Sequence, residues 1–600
     1  MRAGCPLLPV RLVLAAMLAA WLLAGCSDTP SDSKRAIYHH VLQDAPGSLD
    51  PAHAGNVYAA TLSVNLYDTL YRYKYLARPH ELAPNLAAGM PEISDDGRVY
   101  IIRLRDDARF IDDPAFPGQT GRTVVAGDVI YSLKRHFHPS TRSQGAWLWR
   151  DRIVGLDDWA NAGADFARAV PGLRALDTHT VRVELHEPYP QFPHTLAMAL
   201  SAIVPKEAVD FYGRSFGVNP VGSGPFRLVD RDETKVVLEP HPGFDRGPLD
   251  LAGEGFSEHA HARYGLASLD GQDYPFVDRI VVHFINEPTA RWSTFLAGQV
   301  DTVMVPPDQA RGVLVSNDPP RFSPHIADRY HTLIEPEAGF VFYGFNMDNP
   351  EIGYNDDPQR EAMNHGLRCA MRDAFDWSSR NNTFYHGLGQ VFPGVIPPFL
   401  AEYDARLSTA SIEFRPESGR QRLARHGWKA GSFPRLTYGL EANIHQRQMF
   451  EQFRAQMLRI GIPGEVFQPA VFATFGEMVR AIDNRQLDVF FYGWTMSYPD
   501  AQYGLQLFYG PNAAPGANSF NYANPEFDRL FEQASSMLPG PERTALYHRL
   551  NEMVIDDCVI IGSLSRTRVH LWRQNILMAP NGGIGAGYFL RFVGMETASR

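Results

Sequence analysis

The longest uncharged apolar run of the chain, residues 12–24, follows Arg2 and Arg11 and ends at Leu23-Ala24-Gly25-Cys26. It falls short of the about 20 apolar residues a membrane-spanning helix needs. Instead it has the charged start, apolar middle and small-residue end of an export signal. A cysteine directly after Ala24-Gly25 is the processing pattern of a bacterial lipoprotein, so Cys26 is expected to be the lipidated residue. Two or more acyl chains give stable anchoring, because each buried methylene contributes about 0.8 kcal/mol and one chain alone is marginal. Cys5 also follows Ala-Gly but lacks a preceding apolar core. Residues 1–25 are therefore expected to be a lipoprotein signal peptide, and 26–36 the lipidated cysteine with a flexible polar tether. The protein is expected to be periplasmic or at the cell surface, anchored by lipid to a bacterial membrane.

With 600 residues the chain is too long for one hydrophobic core, so two or more lobes are required. Losing Arg2 and Arg11 with the signal moves the net charge from −11 to −13, which argues against nucleic-acid partners. Aromatic residues make up 12% of the chain, enough to furnish a tolerant binding cleft as well as the cores. Strand patterns at 100–104, 181–185, 235–239, 279–285 and 487–492 alternate with helical patterns at 128–136, 289–297, 363–374, 445–460 and 525–534. That mixture predicts α/β lobes with mixed sheets. Residues 244–275 have no clear period and read as a surface excursion. Cys369 and Cys558, each set among apolar residues, read as small buried hydrophobes rather than a bridge.

A catalytic centre is not evident. The chain has no G-x-S-x-G, H-E-x-x-H, P-loop or C-x-x-C motif. Ser223 between Gly222 and Gly224 reads as a tight loop. His259 and His261, like His136 and His138, lack a third ligand at motif spacing and read as solvated loop histidines. Asp95-Asp96-Gly97 reads as a turn before a strand. No enzyme activity, metal or cofactor is expected.

Several stretches gain meaning when taken in order. They are Ser48-Leu49-Asp50-Pro51, Leu66-Tyr67-Asp68-Thr69-Leu70-Tyr71, Leu82-Ala83-Pro84-Asn85-Leu86-Ala87 and Ile93-Ser94-Asp95-Asp96-Gly97. After them come Val125-Ala126-Gly127-Asp128-Val129-Ile130-Tyr131, Asn219-Pro220-Val221-Gly222-Ser223-Gly224-Pro225-Phe226, Leu296-Ala297-Gly298-Gln299-Val300-Asp301 and Asp488-Val489-Phe490-Phe491-Tyr492-Gly493-Trp494. In order and spacing the set resembles the family 5 extracellular solute-binding proteins of ABC importers, the oligopeptide, dipeptide and nickel-binding group. The resemblance implies an α/β, two-lobed periplasmic-binding-protein clamp of the type II, cluster C-like kind, with mixed sheets and an extra subdomain. It places lobe I in 37–75, 200–334 and 558–600, the subdomain in 76–199 and lobe II in 335–557. Its implied partners are a peptide or peptide-like solute and an inner-membrane permease with its ATPase, and the implied state is a monomer.

The same resemblance locates the ligand between the lobes. Gly493-Trp494-Thr495 would present backbone groups with Trp494 as a flat wall. Phe342, Tyr343 and Asn346 would enter from lobe II, Asn56 and Val57 from lobe I, and Trp147 from the subdomain. His445 would lie near a peptide carboxylate. Peptide binders of this family often carry an aspartate three residues after the Gly-Trp tryptophan, pairing with the ligand's amine; here that position is Ser497. Burying an ammonium without its carboxylate costs several kcal/mol. Either Asp500 reaches round to replace it, or the ligand lacks a free amine at that place. The other readings are a ligand-presenting sensor, a binder of a non-peptide solute or metal chelate, and, last, a secreted hydrolase.

Overall fold

The computed structural model describes residues 35–596, apart from 307, 318, 581–583 and 585–586. Cys26, the expected signal and most of the expected tether lie outside the described residues. No helix among the described residues is long and apolar enough to cross a membrane.

The first lobe is organised by strand Ile37–Leu42, which runs parallel to Arg279–Phe284; Lys235–Pro240 and Phe226–Arg231 extend that sheet antiparallel. Within the segment expected as the subdomain, Val99–Arg103 and Thr180–Glu184 pair antiparallel in a second four-stranded sheet with Glu92–Ile93 and Leu173–Asp177. The alternation at 100–104 and 181–185 is the half-buried pattern such a sheet demands. Helix Ala126–Arg135 carries the 128–136 period.

The second lobe is built on a mixed sheet of six strands, in the order Gln390–Phe392, Ile560–Ser565, Gly339–Phe345, Val489–Thr495, Leu436–Glu441, Phe467–Phe472. Every residue of Gly339–Phe345 is buried, as a strand covered on both faces requires. Its Gly344 leaves room for aromatic packing, since a Cβ there would lie 2.3 Å from a Phe520 ring carbon and 2.8 Å from one of Phe490.

Between the lobes, Thr302–Met304, Thr567–Arg573 and Tyr330–Pro336 form an antiparallel three-stranded sheet over an apolar cluster containing Trp292, Phe295 and Leu571. The chain passes from this sheet to the six-stranded one between 336 and 339, and back between 565 and 567. The return was expected at 558. It comes later because Ile560–Ser565 pairs with Gly339–Phe345 and Gln390–Phe392, which makes it a second-lobe strand.

Three further expectations change. Cys369 and Cys558 are bridged, with Cα atoms 5.2 Å apart. The helix Pro358–Ala374 lies against the turn before Ile560, where His365, Arg368 and Arg372 reach the Asp556, Asp557 and Ile555 carbonyls, bringing the two sulfurs together. A separation of 189 residues hides that contact in the sequence. The 244–275 stretch is not a loose excursion: Leu249, Leu251, Tyr264, Leu266 and Leu269 are buried, and Glu254 forms an ion pair with Arg72. His136 is likewise buried, hydrogen-bonded to Ser143.

Candidate functional site between the lobes

A cavity of about 560 Å³ lies between the lobes, within the about 300–1,000 Å³ usual for small-molecule sites. The lobes touch around it. Gln43 Nε2 donates to Glu441 at 3.1 Å, the Phe475 amide donates to Asp44 at 3.2 Å, and Gln191 Nε2 donates to Asp500 at 3.1 Å.

One wall is strand Val489–Thr495. On one side it pairs along its length with Gly339–Phe345. On the other, Leu436–Glu441 pairs only with Val489 and Phe490. Among the described residues no strand pairs with that edge from Phe491 to Thr495, and Phe491 to Ser497 line the cavity. An unpaired edge of this kind is a template for an added extended chain. Trp494 stacks on Tyr503 at 5.3 Å and gives its indole N–H to the Tyr503 carbonyl, so its ring is held flat against the cavity. Ser497 shares a 2.9 Å hydrogen bond with the Tyr503 hydroxyl.

Eight of the expected site residues line this cavity: Asn56, Val57, Trp147, His445, Gly493, Trp494, Thr495 and Ser497. Asn56 also caps helix Val57–Leu66, accepting from the Tyr58 and Ala59 amides. Trp147 donates to the Gln144 carbonyl and lies 6.3 Å from the Tyr503 ring. Burial, reinforced by Arg380 and Arg568, holds His445 down at about 4, so it is neutral near pH 7.

Four expected residues stand elsewhere. Phe342 packs on Phe520 inside the second lobe. On the opposite face Tyr343 packs on Phe453 and accepts a hydrogen bond from Arg380 at 2.8 Å. Asn346, past the strand's end, accepts from Asn521. Asp500 does not reach round to the Ser497 position. It is buried and paired at 2.8 Å with Arg543, and it accepts from Gln191 and the Gln502 amide.

The cavity also holds charged residues that motif reading passes over. Glu337 is clamped by Arg566 at 2.6 Å and Arg568 at 3.0 Å. Burial acts to raise its pKa, but the two guanidiniums hold it down at about 2. Glu441 and Asp483 are pushed up to about 7, both chiefly by burial. In strand Thr567–Arg573, just after Arg566, Arg568 and His570 alternate with Val569 and Leu571, and that alternation was the available signal.

Residues 81–516 match the family model for the bacterial extracellular solute-binding proteins, family 5. The chain belongs to that family. Its members bind solutes rather than transform them. The chain is 24% identical over 539 residues to the peptide transport periplasmic protein SapA of Salmonella typhimurium, covering 86% of this chain and 84% of SapA. Heme-binding protein A of Haemophilus influenzae is 22% identical, with 91% of this chain and 92% of that protein covered. In fold, the chain matches the periplasmic binding protein DppA of Helicobacter pylori in complex with the peptide STSA. The TM-score is 0.74 at 19% identity, covering 94% of this chain and 99% of that one. The two-lobed clamp of the family is thus the fold of this chain.

Proposed function

We propose that this chain is the substrate-binding component of an ABC importer, capturing peptide-like solutes between its lobes and delivering them to a permease. In this reading Cys26 is the lipid anchor, and residues 27–35 let the clamp swing as a monomer above the membrane. The observation that carries the peptide-like class is the unpaired backbone edge at Phe491–Thr495, beside the Trp494 wall. It suits a ligand with amide N–H and C=O groups in an extended run. SapA is a peptide transport protein and DppA is seen in complex with a peptide, which supports the same reading. A bare metal ion finds less support. Four histidines line the cavity, yet the described residues gather no three potential metal ligands there; their one such group is His365, Cys369 and Cys558, whose cysteines are bridged.

The ligand's amine end is not anchored at residue 497, because a serine stands there and Asp500 is engaged with Arg543. Calorimetric titration of tetra-alanine and its N-acetyl form tests this. The two forms are expected to bind within about threefold of each other, a difference well under 1.4 kcal/mol. A hundredfold loss on acetylation contradicts the reading. If D483N or E441Q produced the same loss, that cavity carboxyl would be identified as the amine's partner.

A further inference from the structure

The two crossings between the lobes lie side by side, and an ion cluster joins them. The Glu337 amide donates to the Arg566 carbonyl at 2.8 Å. Arg566 Nε and Nη2 grip the Glu337 carboxylate at 2.6 and 2.7 Å, and Arg568 Nε reaches it at 3.0 Å. Two guanidiniums thus share one carboxylate, leaving one positive charge in excess at the cavity wall. Arg568 commits its Nε to Glu337. Its two Nη groups make no hydrogen bond to the described residues, and the side chain stays 27% exposed.

One further carboxylate is near, Glu335, which stands opposite Arg568 in the strand register and also acts on Arg78. His570 sits 3.5 Å from Glu335, and burial holds both His570 and His445 at about 4, uncharged near neutral pH. Arg291, on the same cavity, spends Nη1 on the Ile285 and Asn286 carbonyls and adds further positive charge. The cluster also adjoins the ligand-facing strand, because a Cβ on Gly493 would lie 3.7 Å from Arg566 Nη2. A partly desolvated guanidinium that shares its close counter-ion keeps unused donors, and its planar fork fits a carboxylate or phosphate through paired N–H groups.

We propose that Arg568, backed by Arg566, is an anion subsite at the crossing between the lobes, so that the captured solute carries a carboxylate or phosphate. This rests on the reading of the cavity as the solute site.

The test titrates N-acetyl-tetra-alanine, as free acid and as C-terminal amide, into the full protein and its R568Q and R568K variants. Arg566 still pairs with Glu337 in both variants, so neither leaves a lone buried acid. The acid is expected to bind the unsubstituted protein about ten- to a hundredfold tighter than the amide. R568Q should erase that preference without weakening the amide, and R568K should retain part of it. An acid preference that survives R568Q overturns the proposal, as does equal binding of acid and amide by the unsubstituted protein. If the unsubstituted protein binds neither peptide, the peptide-like reading fails, and inorganic phosphate and glutarate become the probes. Thermal stabilisation of the unsubstituted protein but not of R568Q then supports the anion subsite, with the more effective ion identifying its source. An equal shift in both proteins, or none in either, overturns it.

Discussion

Replacing Cys369 and Cys558 together by serine is expected to lower the free energy of unfolding by about 5 kcal/mol. The bridge closes a loop with a sequence separation of 189 residues. In the chain-entropy picture, closing a loop of that length removes about 18 cal/mol/K from the unfolded ensemble. The folded state loses little else, because His365, Arg368 and Arg372 continue to hold helix Pro358–Ala374 to the 555–557 turn. Neither cysteine lines the cavity, so ligand affinity should stay within about twofold, while denaturant midpoints fall under reducing conditions and in the double variant alike. A stability loss below about 1 kcal/mol, or a large loss of affinity at temperatures where the variant is folded, contradicts this.

Arg543→Ala is the second large effect, and it reaches function as well as stability. The guanidinium is 3% exposed and bridges Asp500 at 2.8 Å and Glu402 at 3.4 Å. Its removal leaves two buried carboxylates unpaired, at a cost of about 3–5 kcal/mol. Asp500 also orders the segment that carries Trp494 and Ser497. It accepts from the Gln502 amide, and it ties that segment to the first lobe through Gln191. R543A is therefore expected to weaken peptide binding by at least tenfold even at temperatures where it remains folded. D500N, which keeps a hydrogen-bonding side chain against Gln191, should weaken binding less. Equal affinities for R543A and the unsubstituted protein, measured by calorimetry well below its melting point, contradict a positioning role for this pair.

The sequence made the architecture legible because long α/β segments keep their period whatever they pack against. The helical pattern at 525–534 is helix Pro525–Ser535, and the strand pattern at 279–285 is Arg279–Phe284. Gly493-Trp494-Thr495 was legible as cavity lining only through the resemblance to the family 5 binders. What stayed hidden depends on contacts between distant residues. Phe342 and Tyr343 sit in a strand flanked on both sides, so alternation sends one to each covered face and neither to the cavity. Asp500 is near Ser497 in sequence, but its partner Arg543 lies far along the chain, on helix Pro541–Asp556. Glu337, Arg566 and Arg568 meet only because the chain crosses between the lobes twice at one place, which no local pattern announces.

On the proposed reading, the cavity between the lobes encloses a peptide-like acidic solute with no anchored free amine. Native mass spectrometry of protein purified without unfolding, followed by release of whatever it carries and fragmentation of the released molecule, tests this most directly. The expected result is a retained small molecule with amide bonds and a carboxylate or phosphate, and less of it retained by R568Q. Retention of a molecule without amide bonds, such as a heme or metal chelate, or of a peptide whose free amine proves essential for binding, would contradict it.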